Sequence, residues 1–229
     1  MLFGALAVAP RMIPDMARPD LAAVLDAFPL RKGARWVFEG EAEWTAPRGR
    51  GVRSGRVRDV MEVLEVRRSG GACAAIVRGF PLDMAWYRPG RRPGLSVLLC
   101  RDGRIFERTT PSLEAARTQA RVLLGSPEPP EEDPFLDLPL REHKAWGRDQ
   151  GRPDARYCWV VDDPAPRRFA APGVAGGAAF PAWCASFRTN PDQVAFEFAP
   201  GLGITAFSYE HHGAVARTRL RLVSHRPGS

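Results

Sequence analysis

Trp36-Val37-Phe38-Glu39-Gly40-Glu41-Ala42-Glu43-Trp44-Thr45 alternates at every step, with Trp36, Phe38, Gly40, Ala42 and Trp44 on one parity and Val37, Glu39, Glu41, Glu43 and Thr45 on the other. Successive side chains of a strand point to opposite faces, so this run predicts a half-buried strand with an apolar inner face and a mostly acidic outer one.

The same reasoning extends in both directions. Upstream, Asp20 precedes a short apolar helical period over residues 20–27, which predicts one or two helical turns. Downstream, Val52 to Arg67 reads as a second long strand whose imperfect alternation predicts a bulge. Ser69-Gly70-Gly71 turns into a short apolar strand, Ala72 to Phe80, and Met84 to Tyr87 is expected to be another. Leu95 to Cys100 and Arg104 to Arg108 flank Asp102-Gly103, the strongest local hairpin signal in the chain. Ser112 to Gly125 differs in kind: a serine cap, alanines, and Leu113, Ala116, Ala120, Leu123 and Leu124 at helical spacing. Ser126 to Pro134 is proline-rich and acidic, unsuited to a sheet.

Beyond the linker, Tyr157 to Val161 and Phe180 to Phe187 read as strands and Pro164 to Gly177 as loop. Val194 to Ala199, Ile204 to His211 and Ala214 to Ser224 complete the pattern. Pro200 fixes φ, and Gly201 and Gly203 admit positive φ, so Ala199 to Gly203 is a tight structural turn rather than a binding loop. Pro29-Leu30-Arg31 followed by Trp36 is echoed by Pro139-Leu140-Arg141 followed by Trp146. The expected fold is mainly β: a curved antiparallel sheet or half-barrel. It forms one domain over residues 20–229, or two similar β halves, 28–110 and 135–225, with the helix and proline-rich linker of 112–134 between them. Residues 1–19 are expected to be disordered or the remnant of a signal peptide, since Ala7-Val8-Ala9 ends a short apolar start.

At 229 residues and 45% hydrophobic, the chain can bury a real core, and Gly 22 with Pro 22 favours many turns. The formal charge of +7 invites a nucleic-acid reading. Against it, Lys32 and Lys144 are the only lysines and Asn190 the only asparagine, a bias that GC-rich codons produce. The densest arginine run, Arg48, Arg50, Arg53, Arg56 and Arg58, has no interleaved aromatics to stack bases. Nucleic acid is therefore disfavoured, and binding of anionic polymers through the arginines is kept as an alternative. No stretch reaches the roughly 20 apolar residues of a membrane-spanning helix.

No catalytic constellation stands out, and no cofactor motif does. His211-His212 beside Glu210 is the obvious metal candidate, yet strand neighbours point apart, and His143 and His225 are isolated. Cys73, Cys100, Cys158 and Cys184 include no C-x-x-C pair; they are buried thiols or, in an exported protein, Cys73–Cys100 and Cys158–Cys184 disulfides. Gly51-Val52-Arg53-Ser54-Gly55 misplaces the serine of a nucleophile elbow, and Gly201-Leu202-Gly203 lacks the rest of a dinucleotide loop. Glu131-Glu132 and Asp162-Asp163 look like solubilising charge. The tryptophans Trp36, Trp44, Trp86, Trp146, Trp159 and Trp183 suit a core, with some free to line an apolar cleft.

Phe28-Pro29-Leu30-x-x-Gly33-x-x-Trp36, Ala178-Ala179-Phe180 with Cys184, and Ala199-Pro200-Gly201-x-Gly203-Ile204 running into Tyr209-Glu210 occur in that order. Together they resemble a loosely defined group of bacterial cell-envelope proteins described as hypothetical proteins and lipoproteins. The resemblance implies a half-barrel and an exported location, and no activity. The expectation for function is a non-enzymatic, envelope-associated β domain that binds an apolar ligand or a partner protein. The competing class is an enzyme whose site assembles in space around His143, His211 or Glu210.

Overall fold

A computed structural model describes residues 18–46, 51–148, 157–189, 191–211 and 216–229. The apolar start, Arg48, Arg50, Asn190 and His212 fall outside them. The alternating run quoted above is strand β1 (Arg35–Thr45), followed by β2 (Val52–Ser69), β3 (Ala72–Arg78), β4 (Leu95–Arg101) and β5 (Arg104–Thr110). Helix α2 (Leu113–Gly125) separates these from β6 (Leu136–Asp137), and β7 (Ala145–Trp146), β8 (Trp159–Val161), β9 (Arg167–Phe169), β10 (Phe180–Arg188), β11 (Asp192–Ala199), β12 (Gly203–His211) and β13 (Ala216–Arg226) follow. Helix α1 (Leu21–Ala27) precedes them all, its Ala23 N–H donating to the Asp20 carboxylate at 2.9 Å.

The strands form one 13-stranded antiparallel sheet in the order β6-β5-β4-β3-β2-β1-β13-β12-β11-β10-β8-β7, with β9 added beside β10. It curls into a barrel that is nearly closed, with one seam between the short end strands β6 and β7. The order is a six-stranded meander read twice, since β1 pairs with β13 and β7 stands beside β6 in the equivalent place. The sequence echo marks one turn used in both halves. Ala34 N–H donates to Arg31 O at 3.0 Å, and Lys144 N–H to Arg141 O at 3.1 Å. Gly33 and His143 both take positive φ, 78° and 55°. Val63 N–H then donates to Ala34 O, as Val161 N–H does to Lys144 O.

Charge and pattern explain the central pairing. The outer glutamates of β1 stand between arginines on both neighbours: Glu39 opposes Arg58 and Arg221, Glu41 opposes Arg56 and Arg219, and Glu43 opposes Arg217. Opposite charges across a strand pair stabilise it by roughly 0.2–1 kcal/mol each, and a slip of one residue would send them all inward. Inside, Phe28, Trp36, Phe38, Phe80, Trp146, Trp159, Phe196 and Phe198 fill the lumen as one core. Phe135 enters from the linker and packs 5.1 Å from Phe80 and 4.6 Å from Phe196, ring centre to ring centre. Outside, Ala116, Ala120 and Leu123 of α2 cover Ala74, Ile76, Val97 and Leu99.

The lower end is plugged by the Ala199–Gly203 turn and α1. Trp36 Nε1 donates to Leu202 O at 2.7 Å, and Gly201 N–H to Ala27 O at 2.9 Å. A side chain at Gly203 would enter the Phe28 ring, so glycine is required there for space as well as for its φ of 92°. This bears out the reading of the turn as structural.

Two local expectations fail. Met84 to Tyr87 is not a strand: Pro81–Met84 forms a 3-10 turn, and residues 79–94 run as an irregular strap. Pro81, Pro89 and Pro93 each lack the N–H a ladder needs. Pro164 to Gly177 is not wholly loop, because Arg167–Phe169 pairs with the otherwise open edge at Phe180–Ala182. The cysteines form no disulfide, although Cys73 and Cys100 face each other in register on β3 and β4.

Candidate functional site

Strands β3 and β4 are short while β2 is long, which leaves a notch in the upper wall of the barrel. The strap of residues 79–94 fills the notch and crosses the mouth. At its root, Gly79 passes so close to Val60 that a Cβ there would sit 2.2 Å from the Val60 oxygen. Gly79 N–H donates to Gly94 O, and Gly94 N–H to Asp83 Oδ2 at 2.8 Å. At its far side Thr218 Oγ1 donates to Met84 O at 2.9 Å, and the Tyr87 ring packs edge-on to Trp44 at 5.5 Å. Trp86 lies over His211 at 4.3 Å and near Tyr209 at 5.7 Å, is 48% exposed, and has φ of 53°. A bulky residue in that left-handed region costs about 1–2 kcal/mol, strain of the kind that collects at ligand clamps and switch regions.

Polar groups ring the mouth beneath the strap. On β11 and β12, Asp192 Oδ1 accepts from the Tyr209 hydroxyl at 2.6 Å and lies 2.8 Å from His211 Nδ1. Burial, helped by the Asp192 carboxylate, holds the Tyr209 hydroxyl well above the usual phenol range. On β2, Asp59 occupies the inner parity between Val57 and Met61 and is only 4% exposed. Its Oδ2 has no hydrogen-bond partner, and neither does Arg91 Nη2, which lies 3.5 Å from Asp83 Oδ2 as an ion pair. The other terminal nitrogen of Arg91 donates to the Asp83 carbonyl. Burial pushes the Asp59 carboxyl from 3.8 up to about 6; Arg91 and the Val60 N–H oppose the rise and Asp83 adds to it. Burial also raises Glu107 on the inner face of β5, against the nearby Ser96 hydroxyl and a hydrogen bond from Thr109 and with repulsion from Asp83.

Asp59 therefore carries a stability penalty with a definite pH dependence. The folded state holds a proton that the unfolded chain releases near pH 4, so stability falls as pH rises from about 4 to about 6 and levels above that. Asp59→Asn is expected to stabilise the protein by about 2 kcal/mol at pH 7.5 and to change it little at pH 4, read from urea unfolding midpoints. Equal effects at both pH values would contradict a buried, protonated Asp59.

The other candidates are structural. His143 is 77% exposed beside Glu142, and His225 stacks on Trp36 with ring centres 5.0 Å apart. Asp162 and Asp163 are not merely solubilising: Asp162 Oδ1 accepts from Ser186 Oγ at 2.9 Å, while Asp163 is buried and pairs with Arg167 at 2.7 Å. Burial and those two aspartates push the Cys184 thiol up to about 11. Among the described residues, no group of three or more His, Cys, Asp or Glu is placed to hold a metal ion. Glu132 meets Arg108, Glu65 meets Arg117, and Glu210 meets Arg217, so these arginines are answered by acids. A hollow of about 540 Å³ outside β10–β13 and β1 has Glu39, Glu41, Glu197, Arg219 and Arg221 on its walls, a mixed-charge surface.

Sequence reading missed Asp59, Asp83, Arg91 and Asp192. Asp59 alone left a trace, an acid on the apolar parity of a strand. The others meet through the strap and one cross-strand pair, which no local pattern encodes.

No family model matches the chain, and no curated protein does. Two solved structures to which the chain is similar are a candidate exported protein with a YmcC-like fold from Bacteroides fragilis and a candidate lipoprotein from Parabacteroides distasonis. The first is 11% identical, covers 86% of this chain and 96% of its own, and has a TM-score of 0.43. The second is 12% identical, covers 87% and 97%, and has a TM-score of 0.41.

Proposed function

We propose that the barrel is a non-enzymatic, envelope-associated binder whose apolar guest enters through the mouth that the strap of residues 79–94 covers. The observation that carries this reading is Asp59: a carboxyl group buried in the lumen, with one oxygen answered by nothing, at a cost to stability. Buried groups of this kind concentrate at functional sites. Below it, the lumen is lined by rings and closed in the state described, so the tryptophans form a core rather than an open cleft. The strap itself stands in for the guest, placing Phe80 and Met84 in the core. Beyond that packing, its contacts across the mouth among the described residues include a hydrogen bond from Thr218 and the ring contacts of Trp86 and Tyr87, and no ladder pairs it to β12 or β13. Such an attachment can open without breaking the sheet. The envelope placement rests on the resemblance carried by Phe28 to Trp36 and Ala199 to Ile204.

Native mass spectrometry of protein purified from its own host tests the reading. A co-purifying small amphiphile, released on denaturation and bound more weakly after Trp86→Ala, is the expected result. If no bound species appears and the fluorescent apolar probe N-phenyl-1-naphthylamine fails to bind either wild type or Trp86→Ala, the proposal is wrong.

A further inference from the structure

We infer that the mouth end of the barrel docks on the surface of an anionic lipid bilayer, with Val52, Trp86 and Tyr157 entering the headgroup layer and Arg53, Arg88 and Arg92 meeting its phosphates. This goes beyond the binding reading above and stands without it.

The antiparallel order puts the end of β1, the start of β2, the strap, the start of β8 and the ends of β10 and β12 at one end of the barrel. Among the described residues four large hydrophobic side chains are exposed, and three of them lie at this end: Val52 at 55%, Tyr157 at 49% and Trp86 at 48%. Val52 opens β2 opposite Thr45, and Tyr157 stands just before β8, its N–H donating to Arg188 O at 3.0 Å. The fourth, Val122, is on helix α2. The turns of the opposite end, at residues 69–72, 101–104 and 200–202, carry none.

Charge at the mouth end is unbalanced in the same place. Arg53 stands opposite Trp44, and Arg88 and Arg92 lie on the strap; all three are exposed, with no acid within ion-pair distance among the described residues. The acids of this end are already answered: Glu43 and Glu210 by Arg217, Asp83 by Arg91, and Asp192 by Tyr209 and His211. Glu114 stands beside Arg117 on α2. The free arginines therefore select an anionic surface. The apolar groups select a bilayer over a protein or a soluble polyanion. Trp86 lies over β12, with β13 and β1 between it and Val52, and with β11 and β10 between it and Tyr157. Side chains spread in this way around a rim form no single patch for a protein partner to bury, whereas a bilayer meets every point of one end at once. Tryptophan and tyrosine suit its interface because each joins an apolar ring to one polar group, and arginine lays its stem along the apolar layer while its head stays with phosphate.

Vesicle flotation tests the docking, with phosphatidylcholine vesicles set against vesicles of equal parts phosphatidylglycerol and phosphatidylcholine, and with soluble dextran sulfate as a polyanion that has no apolar layer. Wild type is expected to float with the anionic vesicles alone and to be released as salt is raised. Arg88→Ser combined with Arg92→Ser should weaken that binding about tenfold or more. Arg31→Ser combined with Lys32→Ser, at the opposite end, should leave it unchanged. All four side chains are exposed, and equal Tm values check that the variants fold. Lipid brominated near its headgroup should quench the tryptophan fluorescence of wild type, and Trp86→Ala should lose most of that quenching. Absence of flotation at low salt overturns the inference, as does a loss of binding in the Arg31 and Lys32 variant instead. Equal affinity for dextran sulfate with no quenching on vesicles marks a polyanion site and overturns it too. Each of these results leaves the guest reading standing. Protein that floats yet binds no apolar probe in vesicle-free solution supports the docking and removes the guest reading.

Discussion

Gly40→Ala is expected to abolish the stable fold. Replacing a strand glycine by alanine ordinarily stabilises, because it reduces the freedom of the unfolded chain. Here the sign reverses. Gly40 lies in β1 between Val57 of β2 and Leu220 of β13, and an added Cβ would sit 1.8 Å from the Arg219 carbonyl oxygen and 2.8 Å from its carbon. Both atoms are backbone, so no rotamer change relieves the clash. Strands β1 and β13 must separate at the pairing that joins the two meanders. The expected loss exceeds about 4 kcal/mol, a large share of the roughly 5–15 kcal/mol that holds an ordinary domain. Circular-dichroism melting should show no cooperative transition or a fall in Tm of at least about 8 °C. Gly125→Ala, at the end of α2 with open space around it, serves as the control and should be neutral. A Gly40→Ala protein that melts within a few degrees of wild type would mean that this ladder is not formed as described.

Lys144→Ala is expected to cost about 3 kcal/mol and to loosen the seam. Strands β6 and β7 share no ladder; side chains join them instead. Lys144 Nζ, with its side chain 13% exposed, donates to Asp137 O at 2.5 Å, to Asp137 Oδ1 at 3.1 Å and to Pro139 O at 3.0 Å. Trp146 Nε1 spans the same gap to Pro134 O at 3.0 Å. Burial draws the ammonium below its usual range and Asp137 draws it back. Removing it strands two carbonyls and a carboxylate that Arg104 meets at 3.4 Å. In a chain this rich in arginine, a lysine is retained here because three acceptors surround one point, a geometry an ammonium matches and a planar guanidinium does not. Lys144→Arg should therefore destabilise too. Hydrogen exchange should rise first at Leu136, Asp137, Ala145 and Trp146, and unchanged protection there in Lys144→Ala would refute this account.

Much of the fold was legible because its signals are local. The alternation in β1, the Asp102-Gly103 hairpin and the capped α2 follow from side-chain period and backbone freedom, and each lies where those rules put it. The tandem turn at Arg31 and Arg141 left a readable echo for the same reason. One longer-range feature was also encoded: a strand with glutamates on its outer face needs neighbours with arginines, and β2 and β13 supply them. The misreading of Met84 to Tyr87 arose where apolar content suggested a strand but flanking prolines forbade a ladder.

The sequence by itself determined that this is a mainly β protein, curved and antiparallel, with one substantial helix and a structural turn at Ala199 to Gly203. Those properties depend on residues close in the chain. The tertiary structure alone decided where the ends of the sheet meet, that Lys144 fastens them, and that a strap brings Arg91 toward Asp59 on one side and Trp86 onto His211 on the other. Asp59 lies far from Arg91 along the chain, and only the course of the strap brings the two together. Whether an acid in a strand is solvated or buried without a partner depends on what closure brings against it, and no pattern of neighbours along the sequence carries that information.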